Sequence, residues 1–175
     1  MNEIIKAMIE RRSIRKFKPD AVPEGLLDQI IEAGPYAASA RGKQSTAIVA
    51  VTNRELRDRL SAMNCAIGGW QPDFDPFYGA PAILIVLARK DWANRVYDGS
   101  LVMGNLMLAA HSLGLGSIWI HRAKEEFESD AGRAILESAG LRDEWEGIGH
   151  CAVGYIDGET PPAAPRLDGR VFHVK

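Results

Sequence analysis

Between residues 92 and 113 runs a helix-length stretch whose middle, Leu101-Val102-Met103 through Leu106-Met107-Leu108-Ala109-Ala110, is apolar on nearly every side. A surface helix needs one apolar stripe, whereas a helix that is apolar all round has to be covered all round. A chain of 175 residues has material for one domain with a proper core, and too little to wrap such a helix completely. The pattern therefore predicts a single domain over residues 1–175 built on this helix, with part of the helix covered by a second copy of the chain.

The remaining elements follow from periodicity and punctuation. Ile4, Ile5, Met8 and Ile9 recur at helical spacing over residues 2–10. Leu26, Leu27, Ile30 and Ile31 mark a second helix that opens at Pro23 and runs to about Ala33. Near-continuous apolar runs at 46–52 and 81–88 read as buried strands. Ser117-Ile118-Trp119-Ile120 is a short third strand after a glycine stop at 114–116, and residues 147–155 form a fourth. Helices are predicted at about 54–63 and 125–139, with a loop at 64–79 that carries Trp70, Phe74, Phe77 and Tyr78. Those aromatic rings either plug a gap in the core or form a lid over a ligand, with Trp70 and Phe74 as candidate substrate contacts. After a proline-rich passage, Arg170-Val171-Phe172-His173-Val174 reads as a last strand, placed to pair with another molecule's sheet edge. Helices interleaved with four or five strands make an α+β or mixed-sheet domain.

Charge is locally concentrated. The chain carries 21 Lys and Arg against 23 Asp and Glu, a net charge of -2, so it lacks the broad basic face of a nucleic-acid binder. Yet residues 1–18 hold six basic side chains against two acidic ones, and Arg11-Arg12-Ser13-Ile14-Arg15-Lys16-Phe17 packs three guanidiniums and a hydroxyl together. Guanidinium forks match phosphate oxygens two at a time and stay charged at any working pH, so this stretch calls for an anion. Two unpaired cysteines, Cys65 and Cys151, suit a reducing, cytoplasmic location. Neither they nor His111, His121, His150 and His173 fall at metal-ligand spacing, and no metal is expected. No uncharged run approaches membrane-spanning length, and no membrane partner is expected. The 114–116 glycines follow a helix rather than a strand, which excludes a Rossmann fingerprint.

Five stretches in order resemble the FMN-dependent nitroreductase family: the 11–17 basic motif; Ala38-Ser39-Ala40-Arg41-Gly42-Lys43-Gln44; Gly79-Ala80-Pro81; Leu106 to Ala110 with Gly114 to Trp119; and Arg166 in the final arm. The resemblance implies a nitroreductase-like α+β fold with a mixed, mainly antiparallel sheet, and a homodimer that exchanges its C-terminal strands and shares two FMN sites. It implies an NAD(P)H-dependent flavin oxidoreductase, using NADH or NADPH by a ping-pong mechanism on a nitroaromatic, quinone or similar acceptor. It places Arg11, Arg12, Ser13 and Arg15 at FMN, with Arg11 and Ser13 nearest the phosphate or ribityl chain and Arg15 nearest the ring. Ser39, Gly42 and Gln44 would approach from the other subunit, the backbone of Gly116, Ser117 and Ile118 would lie beside the ring, and Arg166 would close over the phosphate. No side chain is expected to act as a catalyst, since the flavin carries the chemistry. The chain departs from the family at Gly42, where asparagine is usual, and at Ser45-Thr46, where Pro-Trp is usual. These losses leave open a flavin storage or sensing protein with little turnover.

Overall fold

The structure, a computed structural model, describes residues 1–142 and 144–175. Its centre is a four-stranded sheet of β1 (Thr46–Val51), β2 (Ala82–Arg89), β3 (Gly116–Ile120) and β4 (Trp145–Gly154). The strand order is β1-β2-β4-β3, and every neighbouring pair is antiparallel. Strands β2 and β4 are central and buried on both faces, which is why β2 reads as an unbroken apolar run instead of alternating.

Helices α1 (Glu3–Glu10), α2 (Glu24–Ala33), α3 (Arg54–Gly68), α4 (Arg95–Ser112), α5 (Ala123–Glu128) and α6 (Asp130–Ser138) complete the chain. Ile83, Ile85, Leu87, Ile118 and Ile120 face Leu60, Phe77, Phe127 and Ile135 in one core layer. Leu84, Val86, Cys151 and Val153 face Ile30, Val102, Met103 and Leu106 in the other. Helix α4 thus lies across the sheet as the all-round apolar pattern requires, but its cover is incomplete. Leu101 is 49% exposed, and Leu108 and Ala109 line an open groove of about 500 Å³ with Ile4, Ala33 and Tyr36. Helix α1 has no buried residue at all; its Ile4, Ile5, Met8 and Ile9 all face outward.

Two expectations are corrected. Helix α3 continues to Gly68 instead of ending near 63, because Asn64 and Cys65 are buried and the stop comes at Gly69, whose left-handed φ of 69° closes the last turn. The helix expected at 125–139 is two, broken at Ser129: its extended backbone ends α5, and its hydroxyl accepts the Gly132 N–H at 3.1 Å to cap α6. Residues 170–174, expected to pair with another molecule's sheet edge, pair with no strand of their own chain, and Val171, Phe172 and Val174 are exposed. The sheet therefore has four strands.

One polar cluster lies inside the first layer. His150 Nε2 sits 3.0 Å from Glu126 Oε2, Asn64 donates to the same carboxylate, and all three side chains are fully buried. Phe77 and Phe127 flank the imidazole. A buried pair of this kind ties α3, α5 and β4 into one geometry, since removing one member strands the others without partners.

Gly147 marks the tightest approach of α5 to the sheet: a Cβ there would run into the Ala123 carbonyl. Gly147→Ala is expected to destabilise the protein by about 1–3 kcal/mol or more, read as a lower denaturation midpoint with unchanged slope. A midpoint equal to the wild type would show that α5 is free to move away.

Candidate functional site: a basic cleft, a displaced loop and an aromatic wall

The basic motif leaves α1 at Arg11 and is pinned beside the sheet. The Ile14 N–H donates to the Ser117 carbonyl at 3.1 Å, and Ser13 bridges Ser117 in parallel. Farther on, Phe17 bridges Ile156, and Lys18 N–H donates to the Tyr155 carbonyl at 2.9 Å. The segment therefore crosses the end of the sheet where β3 begins and β4 has just finished. Gly116 permits this approach, because a Cβ there would meet Ile14 and Ile156 side chains, both at 2.9 Å. Sequence adjacency thus becomes spatial adjacency between the basic residues and the backbone of 116–118.

A cleft of about 740 Å³ opens there, lined by Arg11, Arg12, Ser13, Arg15, Arg166 and the 161–164 segment. No acidic residue lines it. None of its four arginines forms an ion pair among the described residues, whereas neighbouring Lys16 pairs with Asp157 at 2.7 Å. Arg12 Nη1 is spent on the carbonyls of Ile9 and Arg11, at 2.6 and 2.7 Å. Arg12 Nε and Arg11 Nη1 are buried with no partner. Unsatisfied charged donors beside a cleft are costly unless an acceptor fills it, so the donor set fits a phosphate-bearing ligand.

Ser39, Gly42 and Gln44 lie elsewhere. Their loop precedes β1, at the opposite edge and opposite end of the sheet from Gly116. Thr46 is level with Glu146 through β2, while Gly116 is level with Gly154. Three strand spacings across and eight residues along β4 amount to roughly 30 Å. Within one chain the loop and the cleft do not meet. The loop is nonetheless tightly held. Asp98 on α4, 3% exposed, accepts from the Ala40 N–H at 3.0 Å, Ser45 Oγ at 3.2 Å and Trp92 Nε1 at 2.9 Å. Ser39 Oγ accepts the Gln44 N–H at 2.7 Å, and Arg41, Gly42 and Gln44 all have left-handed φ. Ser45 and Gly42 thus serve the loop's own geometry here.

The aromatic residues divide between the two roles open to them. Phe77 is fully buried and fills the core. Trp70 and Phe74 are 40% and 37% exposed and meet edge to face at 5.0 Å, and Phe74 meets Tyr78 likewise at 5.9 Å. The Arg122 guanidinium lies over the Trp70 ring at 4.4 Å. Neither Arg122 nor Asp98 stands out in the sequence, since nothing in an αL arginine or a mid-chain aspartate advertises its contacts. Asp75 clamps the wall: it pairs with Arg57, accepts from Ser61 Oγ at 2.6 Å, and accepts the Phe77 and Gly79 N–H groups at 2.9 and 2.8 Å. Partial burial pushes its carboxyl up, but the hydrogen bonds from Arg57, Ser61, Gly79 and Phe77 outweigh burial and hold it below the usual carboxylate range.

Both cysteines are buried. Burial pushes the Cys151 thiol up to about 12, against a smaller opposing pull from Arg11, so it stays protonated and unreactive. Cys65 donates to the Gln71 carbonyl at 3.1 Å. Among the described residues no cluster suits a metal ion, and no helix is long and apolar enough to cross a membrane.

The sequence model of the nitroreductase family matches residues 8–67 and 69–155. The chain belongs to the nitroreductase family. It is similar to a protein of Methanothermobacter thermautotrophicus named for NADH dehydrogenase and NAD(P)H nitroreductase activities, 33% identical over 129 residues, covering 67% of this chain and 60% of that one. It is also similar to an FMN reductase [NAD(P)H] of Bacillus subtilis, 29% identical over 140 residues, covering 67% of this chain and 53% of that one. The chain therefore spans a little over half the length of these two relatives. A nitroreductase from Bacteroides fragilis solved with bound FMN superposes with a TM-score of 0.90 at 27% identity, over 100% of both chains. The nitroreductase fold is thus present throughout.

For this nitroreductase-family chain, a carboxyl held below its ordinary value stabilises the fold above the ordinary carboxylate range, and that stability is lost as pH falls through the lowered value. Asp75→Asn is expected to cost about 1–2 kcal/mol at pH 7 and to flatten the acid side of the stability curve. Urea unfolding between pH 7 and pH 3 checks it. An unchanged slope on the acid side would remove Asp75 as the clamp.

Proposed function

We propose that the chain is an FMN-dependent oxidoreductase that takes electrons from NADH or NADPH and passes them, by ping-pong turnover, to a nitroaromatic, a quinone or a similar small acceptor. The observation that carries this reading is the acid-free cleft in which buried donors of Arg11 and Arg12 lack partners. A phosphate dianion is the acceptor this arginine cluster lacks, the Ser13 hydroxyl suits a ribityl oxygen, and Arg166 closes from the proline-rich arm. When bound, FMN supplies the redox chemistry, receiving a hydride from NAD(P)H and giving up two electrons that an acceptor takes with protons, a nitro group leaving as nitroso and water.

What the chain's own residues do is bind, orient and balance charge. Arg15 is the cation available to offset the negative charge that reduction places on the ring. The backbone of Gly116, Ser117 and Ile118 offers a rigid rail beside the basic motif, since 116–118 is fixed to β4 on one side and to Ser13 on the other. Trp70 and Phe74 offer an apolar wall for an aromatic acceptor.

The same reading makes the protein a homodimer with shared sites. Ser39, Gly42 and Gln44 reach a basic cleft only if it belongs to a second chain, because their own lies roughly 30 Å away. Helix α1 and the flank of α4 expose the apolar surface such a partner would cover, and the 170–174 arm is free to pair with the partner's sheet edge. Buried, reduced thiols suit the cytoplasm.

Purified protein is expected to be yellow and to sediment at twice the chain mass. Arg11→Ala is expected to weaken FMN binding about tenfold or more while leaving riboflavin binding nearly unchanged, since the lost partner is the phosphate. Colourless protein that stays so after incubation with FMN would sink the reading. Double-reciprocal plots at several acceptor concentrations are expected to be parallel; converging lines would replace ping-pong by a ternary complex, and yellow protein inert to NAD(P)H would favour storage or sensing.

A further inference from the structure

Arg122 is an unusual residue to find where it stands. It stands two residues past the end of β3, at the N-cap of α5, and has φ 78°, in the left-handed region that a non-glycine residue occupies only at a free-energy cost. Its guanidinium stacks on Trp70 at 4.4 Å, yet it makes no ion pair and no side-chain hydrogen bond among the described residues. Stacking uses the face of the guanidinium and leaves its in-plane N–H donors unspent. The platform beneath is rigid: Trp70 is held edge to face by Phe74, and Phe74 by Tyr78. A strained backbone, an unspent fork and a fixed, part-exposed ring thus coincide at one place.

Position along β3 links this place to the cleft. Ser117 receives the Ile14 N–H, so its backbone points out of the sheet edge, and Trp119, two residues on, points the same way. No backbone hydrogen bond from residues 11–18 reaches β3 beyond Ser117. The basic segment therefore leaves this edge free at Trp119, and at His121, just before Arg122, the carbonyl accepts from Asn64 Nδ2 at 2.8 Å. The strand is extended from Ser117 to Ile120, and Arg122 stands two residues beyond its end. The basic cleft stands at one end of this rail and the Arg122–Trp70 pair at the other.

We propose that Arg122 and Trp70 form an acceptor subsite for aromatic carboxylates: the substrate ring packs on the Trp70–Phe74 wall, and its carboxylate takes the free N–H fork of Arg122. Arg122 is then a specificity-determining residue, paired with a cation-stabilised ring that is selective for planar anions over neutral analogues. The inference rests on the flavin reading above, because it assigns the acceptor's side of that site.

The test uses the yellow holoprotein. Benzoate and benzamide, which cannot be reduced, are titrated by calorimetry, and kcat/KM is compared for 4-nitrobenzoate and 4-nitrobenzyl alcohol with NADH and NADPH as donors. The wild type is expected to prefer the carboxylate of each pair. Arg122→Gly suits the left-handed backbone and is expected to lower both preferences about tenfold or more; Arg122→Lys, which keeps charge but not the planar fork, is expected to fall between. Preferences unchanged in Arg122→Gly would overturn the subsite while leaving FMN chemistry standing. A change confined to the NADPH/NADH ratio would also overturn it, reassigning Arg122 to the donor's phosphate. Protein that binds no FMN would overturn the flavin reading and this inference together.

Discussion

Four guanidiniums around one cleft, with no carboxylate among them, repel one another, and partial burial strengthens that repulsion by removing the water that would screen it. Two of their donors have already lost water and found nothing in exchange. The fold tolerates this arrangement because the segment that carries it is fastened by backbone hydrogen bonds to Ser117 and Tyr155, which no side-chain repulsion can readily break. A bound dianion removes the conflict at once. The cleft's four arginines, the 161–164 segment and the start of β3 all meet at this one electrostatic conflict.

The sheet's geometry imposes a second requirement. Antiparallel order β1-β2-β4-β3 sends the loop before β1 and the start of β3 to diagonally opposite corners. Two groups of residues that the resemblance assigns to one ligand are thereby kept apart in each chain, and only the association of two chains would bring them together. The exposed apolar face of α1 and the incomplete cover of α4 are what such association needs, since apolar surface of that extent is costly in water. Asp98, by accepting from Ala40, Ser45 and Trp92, keeps a loop with three left-handed residues in one shape within the single chain.

Much of the fold was legible in residue order. The unbroken apolar run of β2, the caps and stops at Pro23 and Gly114, and the amphipathic spacing of α2 each led to the element observed. The misses have particular causes. Nothing local warns that α3 goes on past 63, because its last turns are held by burial of Asn64 and Cys65 against other elements. The break at Ser129 reads equally well as helix interior until the chain's reversal makes its hydroxyl a cap.

For the site, the sequence by itself determined the chemistry on offer: guanidiniums and a hydroxyl for an anion, aromatic rings for a flat apolar partner, and thiols too sparse for a metal. Side-chain chemistry is a property of single residues and survives any fold. Which of those groups meet was decided only by the tertiary structure. It set Arg166 beside Arg11, sent Gln44 to the far corner, split Phe77 from Trp70, and stacked Arg122 on an exposed ring. Proximity between residues distant in the chain depends on strand order, register and packing, and these are settled by the whole core at once.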